Sequence, residues 1–327
     1  MNLDVFLATL LVLDSNPPTF DASPARRDAF LKIGEFIENN TRAGAPFDLK
    51  TSPNPFWQAI ETRLLQALDG IEAEPADAPP TAWQLYNDGV VLTADGLAIG
   101  MDVFPFPRRF GWTDSADLTG RLADLLDVLF ITHRHPDHYD KALVRACLER
   151  GKPVVLPAPL AADWPGVKTV IAADDGLAFK VAGLDVTARR GFHVWRATME
   201  DLPLVYYEIV CPGDFTFLFI GDLDVSKKLE KTAGRDIDLF FVPWRHPNET
   251  YEPGHAAQTG RTYDAVQAAL DKVRPRALLF EHLAELEHVY DGFPASYDIA
   301  IDLKARVRVP SELLFWGERI AWPSHPR

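Results

Sequence analysis

The spacing of hydrophobic residues changes after the first quarter of the chain. Residues 25–41 and 55–74 carry apolar side chains at helical intervals, which predicts two amphipathic helices. The proline- and alanine-rich segment 73–82 that follows them is typical of a linker. The pattern therefore predicts an N-terminal helical extension, residues 1–80, packed on a core domain formed by residues 81–327.

After the linker, the sequence becomes strand-like. Asp-Gly dipeptides at 88–89 and 95–96 separate short β-prone runs, which predicts a meander of antiparallel strands that ends at Asp102. Strand and helix patterns then mix, with a β-rich block at about 168–220 and renewed alternation in the last third of the chain. This order predicts an α+β fold of two sheets with helices packed outside them.

The composition limits the partners and the compartment. With 33 Lys and Arg against 47 Asp and Glu the net charge is −14, so the surface repels a phosphate backbone and nucleic acid is an unfavourable partner. No apolar segment approaches the roughly 20 residues that cross a bilayer, and no basic residue precedes the N-terminal apolar run as it would in a signal peptide. Because Cys147 and Cys211 form no CxxC pair, we expect a reduced, cytoplasmic protein.

The stretch "HRHPDH" places three histidines and an aspartate within six positions, directly after an apolar run. His133 and His135, two residues apart in an extended loop, would project to the same side and reach one ion. Pro136 favours a helix start, which would turn Asp137 and His138 towards a second position nearby. A polar loop of ordinary histidines is the alternative. Imidazole with carboxylate suits zinc and tolerates iron or manganese, so the stretch predicts a metal site.

Further ligands should come from other strand ends. The candidates are Asp102, His193, Asp222 and His282. Asp222 directly follows the apolar run "FTFLFIG", and His282 follows a predicted buried strand. Their rivals are Asp224, His246, His255 and His288.

The order of HxHxDH, a lone histidine, Gly-Asp and a late histidine resembles the metallo-β-lactamase superfamily over roughly residues 83–322. The resemblance implies a four-layer αββα sandwich. Within it, the segment 313–322 is similar to a "PGE" strand of one branch, although Trp316 stands where that pattern has proline.

The resemblance also implies the role of each ligand and a dinuclear centre of two divalent ions, with zinc favoured over iron or manganese. A first ion would take His133, His135 and His193, and a second would take Asp137, His138 and His282, with Asp222 bridging them. Asp102 would orient a ligand histidine without contacting metal. Asp137 would orient the nucleophile and pass its proton to the leaving group.

The function implied is a metal-dependent hydrolase, in which a metal-bridging hydroxide cleaves an ester, lactone, amide or phosphodiester of a small or medium-sized substrate. A mononuclear iron sulfur dioxygenase keeps the same motif, and a phospholipase D-like phosphodiesterase shares the fold, so both stay open. Diiron electron-transfer members have glutamate where His135 stands here.

Two loops are candidates for substrate contact. The stretch "VFPFPRRFGW" includes Phe106 as part of an apolar wall beside two arginines, and "VPWRHPNETYEPGH" supplies Trp244, Arg245 and His246. Packing in the core is the alternative for the first loop. The N-terminal helices could cap the sandwich, cover the pocket or form the interface of a homodimer.

Overall fold

The computed structural model describes residues 3–193, 202–225, 229, 236–244, 255–295 and 297–322. The first part of the chain forms α1 (Leu3–Ser15), α2 (Pro24–Asn40), α3 (Pro55–Glu72), β1 (Thr81–Gln84), β2 (Val90–Ala94), β3 (Leu97–Met101), α4 (Leu118–Leu125), β4 (Val128–Phe130), α5 (Lys141–Glu149) and β5 (Val154–Pro157). The rest forms α6 (Ala158–Ala161), β6 (Val170–Ala173), β7 (Ala178–Val181), β8 (Leu184–His193), β9 (Leu202–Val210), β10 (Thr216–Phe219), β11 (Leu239–Pro243), α7 (His255–Val273), β12 (Ala277–Glu281), α8 (Leu286–Tyr290), α9 (Tyr297–Arg306), β13 (Ser311–Leu313) and β14 (Arg319–Ala321).

The two helices predicted in the N-terminal part are confirmed, and their start signals are visible. α2 and α3 both begin with proline, whose fixed φ suits the first helical position. The Ser23 side chain accepts from the Arg26 amide, and the Asn54 side chain accepts from the Phe56 and Trp57 amides. These side chains satisfy amides that the helix itself leaves unpaired. Within the described residues, no helix combines the length and apolarity needed to cross a membrane.

The strands form two seven-stranded mixed sheets with helices outside them, so the predicted α+β sandwich is confirmed. The first sheet has the order β14-β1-β2-β3-β4-β5-β6, and the second has the order β13-β12-β11-β10-β9-β8-β7. The predicted meander is β1, β2 and β3, after which β3 to β6 run parallel. In the second sheet, β10 to β13 run parallel. Each sheet therefore gathers several strand ends at one edge.

The inner faces of the sheets share a core that continues to that edge. Phe130 of β4 and Tyr207 of β9 pack across the sheets with ring centroids 5.1 Å apart. The Tyr207 hydroxyl donates a 2.7 Å hydrogen bond to the carbonyl of Ile131, in the loop that leads to the histidine motif. This bond satisfies a buried hydroxyl and fixes the start of the loop.

The segment 313–322 differs from the single strand expected for it. β13 ends at Leu313 in the second sheet and β14 begins at Arg319 in the first. Gly317 has a φ of +85, and a Cβ there would lie 2.9 Å from the Arg63 carbonyl oxygen. Only glycine adopts this turn readily, and the turn carries the chain from one sheet to the other.

A buried ion-pair network, the junction network, connects α2 with these C-terminal strands. The Arg26 guanidinium donates to both carboxylate oxygens of Glu318, at 2.7 and 2.8 Å, and to the Leu313 carbonyl at 3.0 Å. Lys304 lies 2.6 Å from Glu312, which is also 3.9 Å from Arg26. The junction network is formed by Arg26, Lys304, Glu312 and Glu318.

Candidate metal centre

The predicted ligands converge where parallel strands end. Asp102 follows β3, and the loop after β4 carries His133. Asp222 follows β10, and His282 follows β12. Asp102 and His282 have φ values of 43 and 63, a region that non-glycine residues rarely occupy. Such backbone conformations persist only where the surrounding structure holds them, and they concentrate at functional sites.

Gly221 brings the strand that carries Asp222 close to the histidine loop. Its φ is +50, and a Cβ there would lie 2.6 Å from Thr132 Oγ1 and 3.1 Å from an Asp102 carboxylate oxygen. A side chain would therefore push the two sheets' loops apart. The glycine in "IGD" is needed for the close approach of Asp222 to the other predicted ligands.

The first cluster contains His133, His135, His193 and Asp222, whose ligand atoms all lie within 4.8 Å of one another. His133 is fully buried, with Nδ1 3.0 Å from Thr132 Oγ1. Its Nε2 has no hydrogen-bond partner among the described groups. Burial lowers the pKa of His133 well below its ordinary value and also lowers the pKa of His135. Neutral imidazoles are the form that binds a metal.

The second cluster contains Asp137, His138 and His282. The Nε2 atoms of His138 and His282 lie 3.1 Å apart, and Asp137 Oδ2 lies 3.5 Å from His282 Nε2. Burial opposes protonation of His138, but the Asp137 and Asp102 carboxylates outweigh it and raise the pKa of His138 well above its ordinary value. The same negative surroundings would favour a bound cation.

Asp222 lies between the two clusters. Its Oδ2 is 3.5 Å from Nε2 of His193, and its Oδ1 is 3.3 Å from Nε2 of His282. Burial would raise the pKa of Asp222, but His282 and His193 outweigh it and hold the pKa well below its usual range. An ionised carboxylate that faces both clusters is suited to bridging two cations.

Asp102 sits behind His138. It accepts hydrogen bonds from the Thr132 amide at 2.7 Å and the Thr132 hydroxyl at 2.5 Å, and it lies 2.8 Å from His138 Nδ1. Burial raises the pKa of Asp102, although His138 opposes the shift. One of its oxygens and one ring nitrogen each of His133 and His138 also lie within 4.8 Å of one another. Because those oxygens already accept three bonds, the arrangement favours an orienting contact to His138.

Two buried carboxylates that the sequence did not single out as site residues complete the surroundings. Asp88 Oδ2 lies 3.3 Å from His138 Nδ1, and Glu281 precedes His282 in the chain. Within the described residues, neither carboxylate has a hydrogen-bond partner. Burial, with Asp88 and Asp102 nearby, raises the pKa of Glu281 well above its ordinary value. The donor set and this excess of buried acid fit divalent cations.

The family comparison agrees with this geometry. A family model described as a Beta-lactamase superfamily domain matches residues 115–283. The chain belongs to the metallo-β-lactamase superfamily. No curated protein matches the chain in sequence.

Solved structures of the superfamily share the fold, so the predicted four-layer sandwich of this type is confirmed. Igni18, a metallo hydrolase from Ignicoccus hospitalis, is 17% identical with a TM-score of 0.53 over 76% of this chain and 100% of its own. A possible metal-dependent hydrolase from Veillonella parvula is 13% identical, with a TM-score of 0.50 over 75% of this chain and 100% of its own.

A third structure belongs to a larger protein. CmlA, a diiron beta-hydroxylase from Streptomyces venezuelae, is 16% identical with a TM-score of 0.52 over 76% of this chain. The matched region spans 54% of CmlA. At these identities the likeness concerns the fold alone.

At Pro136 the structure differs from the sequence prediction, which placed the start of a helix there. No helix starts there; residues 136–138 form a turn in which the His138 and Tyr139 amides donate to the His135 carbonyl at 3.1 and 2.9 Å. α5 starts only at Lys141, where the Asp140 side chain accepts from two amides of the first turn. Asp140 is the better helix start because its carboxylate caps the helix, which proline cannot do.

A cavity of about 820 Å³ opens beside the candidate metal centre, with His135, Asp137 and Phe104 among its lining residues. Phe106, expected to contact substrate, lies instead in the hydrophobic core with the Arg108 guanidinium 4.5 Å over its ring. The residue of "FPF" that faces the cavity is Phe104.

The second loop is only partly described. Trp244 is buried, and its indole N–H donates to the His282 carbonyl, so it supports a predicted ligand and does not line the cavity. Arg245 and His246 lie outside the described residues, as does the side chain of His255. Asp224, the rival of Asp222, belongs to neither cluster.

Proposed function

We propose that this protein is a metal-dependent hydrolase with two divalent cations at the junction of its sheets, zinc being the preferred metal and iron or manganese the alternatives. The observation that carries the proposal is the convergence of five histidines and two aspartates into two clusters, with Asp222 facing both. Catalytic dinuclear sites have ligands of this kind, beside an open cavity.

The proposed roles follow the contacts. His133, His135 and His193 would hold one cation, and Asp137, His138 and His282 would hold the other, with Asp222 common to both. The bound cations would lower the pKa of a water molecule and polarise the bond to be cleaved. We expect cleavage of an ester, lactone, amide or phosphodiester.

The chain's own groups provide proton transfer and orientation. Asp137 lines the cavity, and its Oδ2 faces the imidazoles of the second cluster, so it would accept a proton from the attacking water and return it to the leaving group. Asp102 would keep Nε2 of His138 directed into the cluster by holding its Nδ1. The cavity volume suits a small or medium-sized substrate.

Hydrolysis of a probe panel tests the proposal. Protein reconstituted with zinc would be assayed against p-nitrophenyl butyrate, a γ-lactone and bis-p-nitrophenyl phosphate, beside metal-stripped protein and Asp137→Asn. We expect at least one probe to be cleaved by the zinc form, and at the background rate by the other two. Oxygen consumption by an iron form supplied with glutathione persulfide, without cleavage of any of the three probes, would instead support the sulfur dioxygenase. Cleavage of the phosphodiester alone would support the phospholipase D-like alternative.

A further inference from the structure

The chain makes an abrupt turn between His282 and α8. His282 and Ala284 have positive φ values of 63 and 53, and the backbone bends at both residues between β12 and α8. Glu285 stands at the N-cap of α8, but its side chain makes no capping hydrogen bond. The Glu285 carboxylate therefore contacts groups outside the helix cap. Positive φ values at non-glycine residues such as His282 and Ala284 raise the energy of the backbone, and such strain is found at functional sites.

That carboxylate lies between two imidazoles. Glu285 Oε2 is 2.5 Å from Nδ1 of His288 and 3.4 Å from Nδ1 of His282. Glu285 is 6% exposed, the His282 side chain is fully buried, and that of His288 is 12% exposed. His282 Nδ1 makes no hydrogen bond within the described residues, which leaves Glu285 as the acceptor within reach.

The other nitrogen of His282 explains why Nδ1 needs a partner. Its Nε2 points at Asp137, His138 and Asp222, the direction of the second cluster. A histidine that offers Nε2 to a metal carries its proton on Nδ1, and that N–H is oriented by an acceptor such as a carboxylate. Asp102 meets this need for His138, and no other carboxylate among the described contacts meets it for His282.

We infer that Glu285 is the positioning residue for His282 and that His288 holds Glu285 in place, so that this pair sets the affinity of the second cluster for its cation. The inference rests on the proposed function, since it requires that the cluster binds metal. His288 also lines the cavity, so the same pair connects the cavity wall with the metal centre.

Zinc titration of the full-length protein at pH 8 against a chelating dye tests the inference without any substrate. We expect Glu285→Ala to weaken one of two zinc equivalents by about 10- to 100-fold, the usual effect of removing such a partner. Glu285→Gln, whose amide oxygen can still accept from Nδ1, should recover most of that loss. His288→Ala should cause a smaller loss at the same equivalent.

Glu287→Gln is the matched control. It removes a carboxylate from the same short helix, but Glu287 bonds to the Tyr86 hydroxyl and makes no described contact with His282. The zinc affinity of Glu287→Gln should match that of the wild type. The visible spectrum of the cobalt-substituted protein should change in Glu285→Ala, return towards the wild-type spectrum in Glu285→Gln and stay unchanged in Glu287→Gln, because it reports ligand geometry directly.

Three results would overturn the inference. Wild-type zinc affinity and cobalt spectrum in Glu285→Ala would show that His282 needs no help from Glu285. An equal loss in Glu285→Ala, Glu285→Gln and Glu287→Gln would assign the effect to bulk charge. A wild-type protein that binds no zinc would overturn the proposed function first, and the inference with it. If Glu285→Ala does not fold, the comparison of Glu285→Gln and His288→Ala with the control decides.

Discussion

Two regions of this molecule bury several charges, and they do so in different ways. In the junction network, Arg26 faces Glu318 and Lys304 faces Glu312, so cations and carboxylates balance. At the candidate metal centre, no lysine or arginine among the described residues pairs with Asp88, Asp102, Asp137 or Asp222. Buried charges are costly unless paired, so the charges of the first region balance one another and those of the second fit a bound cation.

The largest effect should follow from removing the residue that both clusters share. Asp222→Ala deletes a carboxylate that faces His193 and His282, so neither cluster keeps its full ligand set. We expect zinc content after reconstitution to fall from about two ions per chain to less than one, and hydrolysis to fall to background. Elemental analysis and the probe assay measure both.

Asp224→Ala is the matched control for that variant, because Asp224 is buried two residues further along and belongs to neither cluster. It should keep both ions. Equal metal content in the two variants would show that Asp222 is not a ligand.

Breaking the junction network should lower the stability of the protein and leave its metal content unchanged. Arg26→Ala leaves Glu318 buried without its partner, and breaking a buried pair in this way costs about 3–5 kcal/mol. Urea denaturation should show this loss in both metal-loaded and metal-stripped protein. A loss of zinc in folded Arg26→Ala would contradict the separation of the two regions.

Metal removal should lower the stability of the wild type through the metal clusters and not through the junction network. Stripping the wild type with a chelator should lower its unfolding free energy by about 3 kcal/mol per site when free zinc had been 100-fold above its dissociation constant. The same treatment should leave the stability of Asp222→Ala almost unchanged. Thermal unfolding with and without zinc measures this, and a wild type insensitive to zinc would mean that the buried acids do not depend on a cation.

The smallest effect concerns Glu287, a cavity residue whose carboxylate accepts a hydrogen bond from the Tyr86 hydroxyl. Burial raises the pKa of Glu287 from 4.5 to about 7, although the Tyr86 hydrogen bond opposes the shift. The folded state therefore holds this proton more tightly than the unfolded state, so the residue lowers stability as pH rises from about 4.5 to 7. In metal-free protein, Glu287→Gln should be more stable than wild type by about 1–2 kcal/mol at pH 8 and equal to it at pH 4. An equal difference at both pH values would contradict the assigned cause.

The parts of the centre that were predictable from sequence are those whose residue types are unusual for their position. The sequence has three histidines directly after one apolar run and Asp222 after another, "FTFLFIG". Such clusters of polar ligand types are unusual at the end of a buried strand, so they can be recognised from the sequence alone. The meander was visible for a similar reason, since its Asp-Gly dipeptides mark turns. Pro136 misled the prediction, because a proline compatible with a helix start is equally compatible with a turn.

The residues that were missed act through contacts distant in sequence or through backbone geometry. Asp88 belongs to an Asp-Gly dipeptide, which by itself indicates only a turn, and its burial against His138 depends on the assembled sheets. Arg26 and Glu318 are separated by 292 positions, and no local pattern joins them. Glu285 was detectable only as a carboxylate three residues after His282, and its role depends on the positive φ values between them.

The most direct test of the account is elemental analysis of the wild-type protein purified without added metal, followed by zinc titration of the same sample. We expect about two divalent ions per chain, present at purification or taken up on titration, because each of the two clusters would hold one ion. Folded protein that contains no metal and takes up none would contradict it.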